Sequence, residues 1–162
     1  SYNELAQLCN LDSKTVEKYV ILLEQSYVIF RLNSFSRNLR NELKTSKKIY
    51  FYDNGIRNAL IANFNQIEGR ADRGALWENF LISERKKFLE YNRLWGNSWF
   101  WRTKEQKEID LVEERDGKIT GYEFKWNPDQ KVKIPRLFLD SYENSDFQVI
   151  HRDNCDSFLL EY

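Results

Sequence analysis

The chain has 162 residues, 41% hydrophobic and 31% charged, and its five Trp, nine Tyr and eleven Phe can furnish the core of one ordinary domain or of two small ones. Lys and Arg together equal Asp and Glu at 25 each, so no overall positive field draws it to nucleic acid, and any such binding has to come from local patches. Cys9 and Cys155 lie far apart without a CxxC partner, His151 is alone at the end of the apolar run 147–150, and nothing resembles a signal peptide or a membrane span; this argues against zinc, disulfides and a membrane and for a reducing, cytoplasmic compartment.

Ser1-Tyr2-Asn3-Glu4 reads as a capping box ahead of Leu5, Ala6 and Leu8, which predicts a short first helix. The sequence opens inside this cap and contains no methionine, so it reads as a piece of a longer protein. Asn10-Leu11-Asp12-Ser13 makes a turn and a second cap, after which Val16, Tyr19, Val20 and Leu23 recur at helical spacing to about Gln25. Two helices joined by a tight turn make a helix-turn-helix, and the strand-like runs Val28–Leu32 and Lys48–Tyr52 supply a wing, giving a winged helix-turn-helix domain over residues 1–52. Between the wing strands Arg37, Arg40, Lys44, Lys47 and Lys48 form the densest basic stretch, a candidate for phosphate contact or simply a solvated loop. Lys14 and Lys18 on the second helix could join it, but Glu17 and Glu24 interrupt them, which is poor for a recognition helix.

Asp53-Asn54-Gly55 predicts a turn, residues 56–62 a short helix and 63–73 a polar connection. From Gly74 to Tyr91, Trp77, Leu81 and Phe88 keep helical spacing, and Glu78 falls close to their buried stripe, an unusual place for an acid. Residues 98–102 read as a strand, 103–107 as a loop and 108–126 as a hairpin. A helix after Pro135 and a strand over 146–150 complete an α/β layout with a mixed sheet over residues 53–162.

The hairpin carries the chemistry. Asp116-Gly117 is a preferred type I′ turn, and with those residues at the tip Leu111 pairs with Tyr122, Asp110 with Glu123, Ile109 with Phe124 and Glu108 with Lys125. Alternation then puts Ile109, Leu111, Tyr122, Phe124 and Trp126 on one face and Glu108, Asp110, Glu123 and Lys125 on the other. Opposed carboxylates repel. Either both point into water with Lys125 in partial compensation, or they share a divalent cation, Mg or Mn, as hard oxygen ligands. Glu105 and Glu113 read as solvated, and Glu108 as a partner of Lys125.

Glu78 on a helix, Asp110 on one strand and Glu123-Phe124-Lys125 on the next resemble the PD-(D/E)XK nuclease-like superfamily, with Ile109 where the superfamily name has proline. That resemblance implies a restriction-endonuclease-like mixed sheet flanked by helices, metal at Asp110, Glu123 and Glu78, and Lys125 and Glu78 as catalytic groups. Over nearly the whole chain, Glu4-Leu5-Ala6, Lys14-Thr15-Val16, Tyr19 to Glu24, Lys48-Ile49-Tyr50-Phe51, Asp53-Asn54-Gly55, Gly74 to Phe80, Phe100 to Thr103 and Glu108-Ile109-Asp110 resemble the C-terminal region, domain of unknown function 4143, of prokaryotic AAA+ ATPases. In that family an N-terminal module of the same parent chain binds ATP; no GxxxxGK[ST] loop occurs here, so ATP would belong to that module alone. The expected function is a metal-dependent nuclease acting on nucleic acid, DNA first, or a non-catalytic module that docks a partner or regulates the ATPase.

Overall fold

The computed structural model describes residues 2–37 and 46–160. The first helix, α1 (Tyr2–Cys9), and the second, α2 (Ser13–Gln25), bury Ala6, Val16 and Val20 against Ile29. The capping residue of α2 is Asp12, whose carboxylate accepts from the Thr15 N–H at 2.9 Å. Left-handed Tyr27 (φ 54°) then reverses the chain into β1 (Ile29–Asn33), which pairs antiparallel with β2 (Lys47–Phe51). Ser1 of the expected capping box lies outside the described residues.

Asp53 caps α3 (Asn54–Leu60), a single 3-10 turn (Ile67–Gly69) interrupts the polar connection, and α4 (Arg73–Tyr91) follows. Four strands, β3 (Asn97–Arg102), β4 (Glu108–Arg115), β5 (Lys118–Phe124) and β6 (Ser145–Ile150), form one sheet in that order. The first three are antiparallel neighbours; β6, reached through α5 (Arg136–Ser141), runs parallel to β5, so the sheet is mixed as expected. A last helix, α6 (Cys155–Leu160), was not signalled by the sequence: its six residues are too few to show a helical period, and only Phe158 is buried.

The protein is therefore a mixed α/β fold with two sheets. Its core does not stop at residue 52. Phe30, Leu32 and Tyr50 pack in one cluster with Trp77, Leu81 and Ile82 of α4 and with Phe100, Leu111, Tyr122, Phe124 and Phe158. Past β1, the Phe35 N–H donates to the Phe100 carbonyl at 2.6 Å, fastening the small sheet to the free edge of β3. The other face of the large sheet buries Trp101, Ile109, Val112, Ile119, Phe138 and Tyr142. No helix among the described residues is long and apolar enough to cross a membrane.

At the hairpin tip Asp116 (φ 51°) and Gly117 (φ 77°) both take left-handed backbone, as a type I′ turn requires, and Arg115 pairs with Lys118. A β-carbon on Gly117 would meet open space, so the cost of Gly117→Val is conformational, about 1–2 kcal/mol. The variant should melt about 2–8 °C lower. An unchanged melting temperature would contradict the left-handed turn.

The base of the hairpin departs from the expected register. Trp99 pairs with Val112 but Trp101 with Ile109, so β4 spends one extra residue opposite Phe100, a β-bulge. The bulge flips the parity of β4. Ile109 turns to the α5 face, away from Leu111, while Asp110 joins the α4 face. Regular pairing of β4 with β5 begins at Leu111 and Tyr122, so Asp110 and Glu123 are not ladder partners. Tyr122, Phe124 and Trp126 keep their shared apolar side.

Candidate functional site

The bulge frees Asp110 from the ladder, and its Oδ2 accepts from the Phe124 N–H at 2.9 Å in place of a strand partner. That contact fixes the carboxylate at the seam where β4 and β5 meet α4 and β2. Glu78 comes from the first half of α4. Two part-buried contacts register α4 on β2: the Asn79 side-chain oxygen accepts from the Phe51 N–H at 2.8 Å, and its amide donates to the Phe51 carbonyl at 2.9 Å. With Phe51 so held, the alternate residues Lys48 and Tyr50 face Glu78 across the seam.

The Tyr50 hydroxyl donates to Glu78 Oε1 at 2.6 Å. The Lys48 ammonium lies 2.9 Å from the same oxygen and 3.7 Å from Asp110 Oδ1, and it also pairs with Glu108. Glu108 is shared with Arg102, and Glu123 pairs with Lys125 at 2.6 Å. Four carboxylates thus meet three cations in a patch whose side chains are mostly out of water.

Electrostatics follow from that count. Burial pushes the Asp110 carboxyl up to about 7, the charges of Glu78 and Glu123 push the same way, and Lys48 and the Phe124 N–H only partly resist. A proton on Asp110 leaves three carboxylates facing three cations. Burial works against the charge on Lys48, but Glu78, Asp110 and the hydrogen bonds to Glu108 and Glu78 outweigh it, so the ammonium is held above the ordinary lysine value. Burial foremost, then the neighbouring Glu78 charge, keeps the Tyr50 phenol protonated far above its usual range.

The donor chemistry of Glu78, Asp110 and Glu123 suits a hard divalent ion, but their arrangement does not present it with a cradle. Among the described residues no group of three or more His, Cys, Asp or Glu is placed to hold a metal ion. The Lys48 ammonium stands among Glu78, Glu108 and Asp110 instead, and Lys125 is bound to Glu123.

The structure brings Glu78 and Asp110 to one seam, with Glu123 near enough for its charge to act on Asp110, but Asp110 lies on the α4 face while Glu123 and Lys125 turn to the α5 side, so the single shared face expected from alternation is not formed; several neighbours differ as well. Lys48 is a half-buried counter-ion, not part of an exposed basic segment. Arg37 pairs with Glu114, and Lys47 lies over the Tyr2 ring at 5.2 Å. Lys14 and Lys18 are exposed on α2, and Arg40 and Lys44 lie outside the described residues. Glu108 pairs with Lys48 and Arg102, not with Lys125. Glu113, expected in water, is buried and holds Arg85 through two 3.0 Å contacts, because strand alternation gives it the face of Leu111, which meets α4. Glu105 is exposed beside Lys107, as expected. Tyr50 was missed as a site residue, and Lys48 was expected at a phosphate rather than among these acids; their two-residue spacing on a strand opposite an acid near a buried stripe was the available signal.

Fold and site together define a mixed α/β protein with an acid–lysine cluster where a small sheet, a larger sheet and α4 meet. The chain matches the domain of unknown function DUF4143 over residues 73–155, half of its length, and belongs to that family; residues 1–67 match the domain of unknown function DUF8612. These two matches part between residues 67 and 73. Uncharacterized protein Rv2008c of Mycobacterium tuberculosis and uncharacterized protein Mb2031c of Mycobacterium bovis are each 29% identical over 124 residues, covering 75% of this chain and 27% of theirs. The chain therefore spans just over a quarter of the length of these curated relatives. No solved structure matches it.

Proposed function

We propose that the chain is the C-terminal part of a prokaryotic AAA+ ATPase, a winged helix joined to a PD-(D/E)XK nuclease-like domain that serves as a non-catalytic module for partner docking or for regulating the ATPase. One observation carries the non-catalytic reading: the Lys48 ammonium, 2.9 Å from Glu78 and 3.7 Å from Asp110, stands where a nuclease would need a divalent ion. An ammonium can neutralise carboxylates, but it offers no open coordination position at which to activate a water. The helix–strand–strand–strand–helix–strand order from α4 onward supports the nuclease-like fold. The small share of the relatives' length that the chain matches leaves room there for an ATP-binding module.

The convergence of Glu78, Asp110, Glu123 and Lys125 favours a second reading, a Mg- or Mn-dependent phosphodiesterase in which substrate and metal together displace Lys48. A cleavage assay separates the two. Single- and double-stranded DNA and RNA are incubated with the protein and magnesium or manganese, beside Asp110→Ala. The non-catalytic module should give no cleavage above that of Asp110→Ala. Metal-dependent cleavage that vanishes in Asp110→Ala would replace it with the nuclease.

A further inference from the structure

On the α5 side of the sheet lies a cavity of about 560 Å³, within the range of small-molecule sites. Its wall is the irregular segment before α5, Lys131-Val132-Lys133-Ile134-Pro135, with Arg136 at the start of the helix. Lys131, Lys133 and Arg136 are exposed and make no ion pair among the described residues. Such crowding of like charge is relieved by an anion. Beneath this rim Val132, Leu137 and Phe147 are half-buried and supply an apolar floor. Glu108 and Glu123 also line the cavity, but Lys48, Arg102 and Lys125 already answer their charges.

We propose that this cavity binds a phosphate-bearing ligand with a flat apolar body, a nucleotide, its phosphate held by Lys131, Lys133 and Arg136 and its base laid over Leu137 and Phe147. The concave shape distinguishes this ligand from an acidic peptide, whose carboxylates would be spread along an extended surface, and the apolar floor distinguishes it from a bare anion. The ligand can come from two sources, a free nucleotide or the phosphorylated end of a single strand. The cavity shares Glu108, Glu123 and Lys125 with the acid–lysine cluster, but holding a nucleotide on Lys131, Lys133 and Arg136 does not require that cluster to be catalytic.

The test is calorimetric titration of the 162-residue chain with adenosine 5′-monophosphate, adenosine, inorganic phosphate, a 5′-phosphorylated oligothymidylate and its unphosphorylated form, and a short polyglutamate. The monophosphate should bind at least about tenfold more tightly than adenosine or phosphate, since each lacks one half of the contacts. Neutralising the rim with Lys131→Gln, Lys133→Gln and Arg136→Gln together should weaken that binding at least about tenfold while leaving the melting temperature unchanged, because all three side chains are exposed. A floor variant, Phe147→Leu, should weaken the monophosphate and leave the small affinity for phosphate as it was. Preference for the 5′-phosphorylated strand over the monophosphate identifies strand ends as the source; the reverse identifies the free nucleotide. Polyglutamate binding as tightly as the monophosphate, no binding of either nucleotide probe, or equal affinity in the rim variant would overturn the proposal.

Discussion

Glu113→Ala is expected to destabilise the protein by about 3–5 kcal/mol, the cost of breaking a buried ion pair from one side. The pair is almost fully enclosed: the Arg85 and Glu113 side chains are 6% and 8% exposed, and Arg85 Nε and Nη2 each donate to a different Glu113 oxygen at 3.0 Å. The third arm of Arg85 donates to the Phe158 carbonyl at 2.6 Å, which ties α6 to α4. Alanine removes the carboxylate that two arms of the guanidinium hold among Phe88, Phe158 and Leu111, and water cannot fully replace it. The melting temperature should drop by about 6–20 °C for a chain of this size. Replacing both partners, Arg85→Met with Glu113→Leu, should recover much of the loss, because no orphaned charge remains. Thermal melts of the two single variants and the double variant check this; strictly additive losses would show that the two residues do not act as a pair.

Lys48→Met should cost about 3 kcal/mol at pH 7.5, seen as a melting temperature lower by about 6–12 °C. The ammonium is the cation nearest to Glu78 and Asp110, and without it those carboxylates and Glu108 face one another across a partly buried seam. Asp110 sets the pH dependence. Its folded-state value of about 7 lies above the ordinary 3.8, so the native protein holds this proton where the unfolded chain has released it. The resulting stability is fully present below about pH 4 and is lost as pH rises toward 7, up to about 4 kcal/mol at ~1.4 kcal/mol per unit. Asp110→Asn keeps an oxygen for the Phe124 N–H and removes this loss, so it should gain stability relative to wild type between pH 5 and 8 and should rescue part of Lys48→Met. Manganese should raise the melting temperature of Lys48→Met and leave wild type unmoved, by linkage to a site opened in the variant alone. Equal manganese shifts in both proteins, or a wild-type stability that rises from pH 5 to 8, would remove Lys48 from its role as the resident cation.

Local signals sufficed for most of the secondary structure. Asp12 ahead of Ser13-Lys14-Thr15 had to cap a helix, since its carboxylate reaches the free amides of the first turn. Asp116-Gly117 had to turn left-handed, because no other two-residue loop closes a twisted hairpin as well. That Glu78 would sit near other acids was legible too, from the odd placement of an acid beside a helix's buried stripe; the face that Asp110 takes was not, because strand alternation does not foresee the bulge. By itself, then, the sequence determined most of the elements, the hairpin tip and the nearness of Glu78 to other acids. The tertiary structure decided the rest. Only packing of Phe100 against both α4 and β1 makes the β4 bulge pay, and that bulge sent Asp110 to one face and Ile109 to the other. Only the docking of β2 on α4 through Asn79 brings Lys48, 30 positions before Glu78, into the acid cluster. A strand's period says which residues share a face; it carries no information about which element that face will meet, and the charge state of a buried acid depends on what it meets.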